Sequence, residues 1–193
     1  MTTPTILGYE SVASGGNLTI PAGTDVIVGV FFGNPTATID SISPVASANY
    51  STNISIKVWN LYYATGTKAL AGGVTGYFEY LDNANPTPLE IFAGYSALGL
   101  LTESLTTSAE CLVIGATMGN SGVAGNIGLA ETAVGSFNLR YTSGNYKMGE
   151  KTASGATMSI TFNDNGAGAY VWGCAVSIPY FNNGGQFIRW SNE

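Results

Sequence analysis

Apolar residues in this chain recur at every second position over short stretches, and clusters of Gly, Pro, Asn and Ser interrupt them. A period of two is the signature of extended chain, because successive side chains of a strand point to opposite faces. The pattern predicts strands over 5–13, 17–20, 25–32, 38–43, 53–64, 74–81, 89–98, 111–118, 137–141, 146–151, 156–162 and 169–179. Pro21-Ala-Gly-Thr24 reads as a turn, Ser143-Gly144 as the tip of one hairpin, and Asn163-Asp-Asn-Gly166 as the tip of another. Asn-Gly favours such tips because both residues tolerate positive φ. No stretch has helical spacing. Glu103–Ala109 could make one helical turn at most, and Thr and Ser dominate it.

Four of these stretches are apolar on both faces: 25–32, 53–64, 111–118 and 169–179. In 25–32, Val26, Val28 and Val30 share one face while Ile27 and Phe31 take the other. A sheet wetted on one side should alternate cleanly. The second face therefore needs a cover, from the chain itself or from a neighbour. The predicted fold is all-β, an antiparallel β-sandwich or jelly roll of about 8–10 strands with little or no helix. No linker and no internal repeat stand out, so residues 1–180 read as a single domain. Residues 181–193 read as a tail or edge strand. Its Phe187, Ile188 and Trp190 follow the joint Asn182-Asn-Gly-Gly185, and they are the candidate partner-contact residues.

Composition sharpens this picture. Only 9% of the 193 residues are charged and the net charge is −6, against about 25% charged in an average domain. Uncharged strand edges lack their usual protection against pairing, which favours a homo-oligomer or larger assembly, with a trimer the favoured form. Lys and Arg are scattered singly, which excludes the clustered cations that nucleic-acid binding needs. No apolar run reaches the roughly 20 residues of a spanning helix, so no membrane is expected. The opening Met1-Thr-Thr-Pro-Thr-Ile has no basic-then-apolar pattern, so the chain is expected to be made in the cytoplasm without a signal peptide. Cys111 and Cys174 both lie in apolar strand-like runs and read as two buried free thiols.

The chemistry of common active sites is missing. There is no histidine, which removes His-dependent triads, Cys–His dyads and His metal sites. The glycine-rich stretch 115–128 lacks the Lys and Ser/Thr of a phosphate loop. Glu79, Glu90, Glu103 and Glu110 are the candidates for a glycosidase pair, but no spacing pairs any two, and Glu79 and Asp82 read as a solvent-facing edge and turn. Asp82-Asn-Ala-Asn85 and Asn163-Asp-Asn-Gly166 resemble calcium-loop fragments without the acidic count or closing glutamate, and read as Asx turns. Asn17, Asn49 and Asn53 sit in chance glycosylation patterns. No cofactor, no metal and no catalytic residue is expected. Among Trp59, Tyr62, Tyr63, Tyr77, Tyr80, Tyr95, Trp172 and Trp190, a sugar-stacking platform is conceivable, although alternation places most of them in the core.

Two stretches carry a resemblance: Ser14-Gly-Gly-Asn-Leu-Thr-Ile-Pro-Ala-Gly-Thr24 leading into 25–32, and the late hairpin of 156–162 with 169–178. In outline, residues 9–179 resemble jelly-roll domains of phage virion structural proteins and of some bacterial surface proteins. The resemblance implies a capsid decoration, cement, knob or fibre component located in the virion. It would act without catalysis, through contacts with itself and with other virion proteins. The alternative is a carbohydrate-binding or adhesion module of a surface or tail protein.

Overall fold

The computed structural model describes residues 3–60, 65–72, 74–120, 127–132, 134–166 and 169–181. Every regular element among them is a strand, and all pairings are antiparallel. The first half of the chain forms β1 (Thr5–Val12), β2 (Asn17–Ile20), β3 (Val26–Phe31), β4 (Thr38–Ile39), β5 (Ala46–Tyr50), β6 (Ile54–Asn60), β7 (Gly66–Ala71) and β8 (Gly76–Asp82). The second half forms β9 (Glu90–Ser96), β10 (Leu100–Thr106), β11 (Leu112–Gly119), β12 (Ile127–Glu131), β13 (Gly135–Ser136), β14 (Asn138–Ser143), β15 (Tyr146–Thr152), β16 (Thr157–Asp164) and β17 (Val171–Ile178).

The strands make four stacked layers. Two five-stranded sheets, β1-β8-β3-β6-β5 and β14-β15-β11-β17-β9, face each other in the middle. Between them lies a core of Val26, Val28, Val30, Ile54, Ile56 and Val58 against Ile114, Ala116, Met148, Cys174, Val176 and Ile178. The small sheet β2-β7-β4 covers the outer face of the first inner sheet over Leu18, Ile39, Trp59 and Phe78. The sheet β10-β16-β12-β13 covers the outer face of the second over Leu105, Val113, Leu129, Ile160 and Phe162. The strands that are apolar on both faces are thus the inner ones, and the chain supplies their second cover itself. β3 and β6 hide nearly every residue. Both cysteines are buried as free thiols, and burial pushes the Cys174 thiol well above its ordinary range.

The structure also contains a repeat that the sequence did not suggest. In the first half, β1-β8-β3-β6-β5 packs on β2-β7-β4; in the second, β9-β17-β11-β15-β14 packs on β10-β16-β12. Renumbering the second half from β9, and setting aside the short β13, gives the same order. The inner sheets are stacked with opposite sense, so each half's first strand lies over the other's fifth. Tyr9 of β1 meets Arg140 of β14, and Tyr95 of β9 meets Tyr50 of β5. Val26-Ile-Val-Gly-Val-Phe-Phe-Gly-Asn34 corresponds to Leu112-Val-Ile-Gly-Ala-Thr-Met-Gly-Asn120, with Gly29, Gly33 and Asn34 matched by Gly115, Gly119 and Asn120. Gly76 and Gly173 are also equivalent. A Cβ at Gly76 would lie 2.6 Å from the Phe31 and Phe78 rings, and one at Gly173 would lie 2.4 Å from Phe162.

Among the described residues seventeen strands form, five more than the twelve stretches read from the pattern and above the eight to ten of the expected sandwich. The unanticipated ones are β5, β7, β10, β12 and β13, which are short or half-exposed and carry weak alternation. Residues 103–106 belong to β10, not to a helical turn, because they pair along β16 from Glu103↔Ile160 to Thr106↔Thr157.

Candidate functional site

Two edges of the central sandwich differ in chemistry. At one, β1 and β8 lie over β14 and β15. There a cavity of about 140 Å³ is lined by Tyr9, Glu10, Ser11, Tyr77, Glu79, Arg140, Tyr141 and Met148. Register explains the placement of Glu79. It pairs with Val28 on β3 and Tyr9 on β1, so its side chain shares the inward face with the valines of the core. It is 0% exposed, and neither carboxyl oxygen has a hydrogen-bond partner among the described residues. This corrects the expectation of a solvent-facing Glu79. Tyr77, Glu79 and Leu81 point inward together, and alternation alone cannot say which face of a strand meets the core. Burial, reinforced by the nearby Glu150 charge and opposed by Arg140, pushes the Glu79 carboxyl up to about 8. A carboxyl in this range is neutral at pH 7.

Arg140 sits at a bulge in β14, between Leu139↔Gly149 and Tyr141↔Met148. Such an extra residue re-aims its side chain. Its Nε donates to Glu150 at 2.9 Å and its Nη2 lies 2.5 Å from the other Glu150 oxygen, a two-pronged ion pair. The guanidinium also lies over the Tyr9 ring, 5.8 Å from its centroid. Burial raises the Glu150 carboxyl while Arg140 holds it down. The Tyr77 and Tyr141 hydroxyls are hydrogen-bonded at 2.7 Å with ring centroids 3.9 Å apart, and burial raises the Tyr77 phenol. At the rim, the Glu10 carboxylate accepts from the Tyr80 hydroxyl and the Thr19 amide. Residue types around this cavity were readable from the sequence, but not the pairing of Glu79 with Arg140 and Glu150, which are more than 60 residues away and on the other sheet.

The opposite edge carries aromatics. Tyr95 stacks on Tyr50 at 5.5 Å and on Tyr170 at 6.0 Å, and Trp172 lies 5.4 Å from Tyr95. Tyr50 and Tyr170 are 39% and 40% exposed, so the cluster forms a shelf open to solvent. Of the aromatics singled out in the sequence, Trp59 and Tyr80 are core, Tyr77 lines the cavity, and Tyr95 and Trp172 join this shelf. Tyr62, Tyr63, Trp190, Phe187 and Ile188 lie outside the described residues.

The remaining candidates dissolve into turn chemistry. Asp82 accepts from the Asn83 amide at 2.8 Å, Asn85 accepts from Thr87 at 2.9 Å, and Asp164 accepts from Gly166 at 3.1 Å and Asn120 at 2.9 Å. Among the described residues no three metal-ligating side chains converge. Glu90 accepts from the Thr106 amide, while Glu103 and Glu110 lie on β10 and on the turn after it. None of these three lines the cavity that holds Glu79.

Fold and sites together define an all-β, four-layered antiparallel sandwich with a polar cleft at one edge and an aromatic shelf at the other. No protein-family model, curated protein or solved structure matches the chain.

Proposed function

We propose that this protein is a non-enzymatic structural component of a virion, a decoration, cement, knob or fibre piece, with each half wound as a jelly roll. One observation carries this reading. Among the described residues eight strands end a sheet; β2, β4, β5 and β13 contain no charged residue, and β1, β9, β10 and β14 contain one each. Charged edges are the usual defence against edge-to-edge association, and this surface largely does without it. Large apolar side chains also stand exposed, among them Leu98 at 89% and Val134 at 63%. A rigid, charge-poor body of this kind is suited to burying edges against copies of itself and against a shell, as symmetric assemblies do. Light scattering on the purified chain is expected to give a trimer, three times the 19.9 kDa chain mass. A particle of single-chain mass at micromolar concentration would sink this reading.

The shelf favours a second reading, a glycan-binding or adhesion module. The exposed Tyr50 and Tyr170 flank Tyr95 in a stack, with Trp172 beside it, so the cluster draws on both halves and opens to solvent at its outer rings. Aromatic faces supply large apolar contact with little loss of rotamer freedom. On a glycan array, Tyr95→Ala is expected to lower signal at least tenfold for any ligand the native protein retains. Because Tyr95 is the ring common to three of the contacts, an unaltered profile would remove the shelf from consideration.

A further inference from the structure

We propose that the cleft between β1–β8 and β14–β15 is a binding site for a protonated primary amine on a short alkyl chain. The walls are the rings of Tyr9, Tyr77 and Tyr141 and the thioether of Met148, and Glu79 lies buried among them. Ring faces attract cations through their quadrupole, and most strongly where water is excluded. An ammonium adds N–H donors that the two unpartnered Glu79 oxygens lack among the described residues. Arg140 does not fill this role, because its hydrogen bond and ion pair both go to Glu150 while its guanidinium lies over the Tyr9 ring.

The duplicated fold supplies an internal control. The strand registers place Glu79 opposite Val28 in one half and Val176 opposite Ile114 in the other. Continuing outward, Tyr9 corresponds to Ile91, Tyr77 to Cys174, Tyr141 to Ala48, Met148 to Ile56 and Glu150 to Val58. At the second edge this set is apolar and β5 closes directly on β9. The fold therefore closes such an edge without any buried charge. The buried acid at the first edge is a departure that packing does not require, and an isolated buried carboxylate is costly unless paired.

Size and composition narrow the ligand. About 140 Å³ is well below the roughly 300–1,000 Å³ of drug-sized sites, so only a few heavy atoms fit. The lining is mostly aromatic carbon with one free carboxyl, which suits an ammonium head with a short tail better than a polyhydroxylated or anionic compound. The titratable and charged groups around Glu79 are Tyr9 and Glu10 on β1, Tyr77 on β8, Arg140 and Tyr141 on β14, and Glu150 on β15. Glu79 is protonated below about pH 8, so a cation binding beside it displaces that proton to solvent. Apparent affinity should then rise with pH, by up to about tenfold per unit between pH 6 and 7.5.

The test is carbon-detected NMR of the full chain titrated with ethylammonium chloride, against sodium chloride at equal ionic strength. Saturable shifts are expected at the Glu79 carboxyl and the Tyr9, Tyr77 and Tyr141 rings, with the Glu79 midpoint falling by at least one pH unit at saturation. Glu79→Gln should weaken binding at least tenfold. Tyr9→Ala, which removes an exposed ring, should weaken it severalfold while Glu79 still titrates high in the free protein. Shifts that only track salt, equal binding by Glu79→Gln, or equally tight binding of tetramethylammonium would each overturn the assignment.

Discussion

Replacing Trp59 with alanine is expected to destabilise the protein by about 3–5 kcal/mol, the range for deleting a large buried aromatic side chain. Trp59 is 0% exposed and sits where β6 meets the covering sheet. Its ring contacts Phe31 edge-on and lies 6.3 Å from Phe78, and its Nε1 donates to the Ile42 carbonyl at 3.2 Å. The truncation removes the ring's burial, leaves a void beneath β2-β7-β4 and leaves the Ile42 carbonyl with only the Ile39 amide as donor. In a domain of this size each kcal/mol moves Tm by about 2–4 °C, so calorimetry should show a fall on the order of 10 °C. A change below 3 °C would mean that the small outer sheet does not hold this residue as described.

Glu79→Gln should act in the opposite direction and only at the alkaline side. The folded-state carboxyl is raised to about 8 against an ordinary value of 4.5. A raised acid binds more protons folded than unfolded, so its contribution is fully present below pH 4.5 and is lost as pH climbs through 8. At about 1.4 kcal/mol per unit, this one group weakens the native protein by about 3 kcal/mol between pH 4.5 and pH 7. The amide cannot ionise, so the variant should match the native protein near pH 4 and melt several degrees higher at pH 8. Melting curves across that interval check this. A native protein whose stability rises steadily from pH 5 to pH 8 would contradict the buried, unpaired state of Glu79.

The inner strands were legible in the sequence and the outer ones were not, for one physical reason. β3, β6, β11 and β17 are covered on both faces, so their sequences are continuous apolar runs that no exposed segment would carry. β7 and β10 touch the core with one face while the other is wetted, and their Thr, Ser and Lys positions blur the alternation. The two-sided runs also correctly signalled a second cover, though the sequence could not say that the chain itself provides it. The repeat is hard to read in the sequence because equivalent positions keep register but neither size nor identity: Phe31 answers to Thr117 and Tyr77 to Cys174. The matched Gly29-x-x-x-Gly33-Asn34 and Gly115-x-x-x-Gly119-Asn120 were the one readable trace. The cleft was hidden because its charges converge from β8, β14 and β15 on opposing sheets. The aromatic shelf was half visible, through Tyr95 and Trp172, while Tyr50 and Tyr170 are brought to it by the fold alone.

The shared middle layer has a consequence for how the molecule comes apart. Val28 and Ile56 from one half have Ile114 and Val176 from the other as their hydrocarbon surroundings, so a separated half keeps the core under its own outer sheet but bares its whole share of the middle layer. Cutting the connector after Asp82 would leave two greasy slabs with matching faces, each insoluble alone and each the natural complement of its twin. Melting should accordingly be one all-or-none event, and severed halves mixed together should rebuild the intact body.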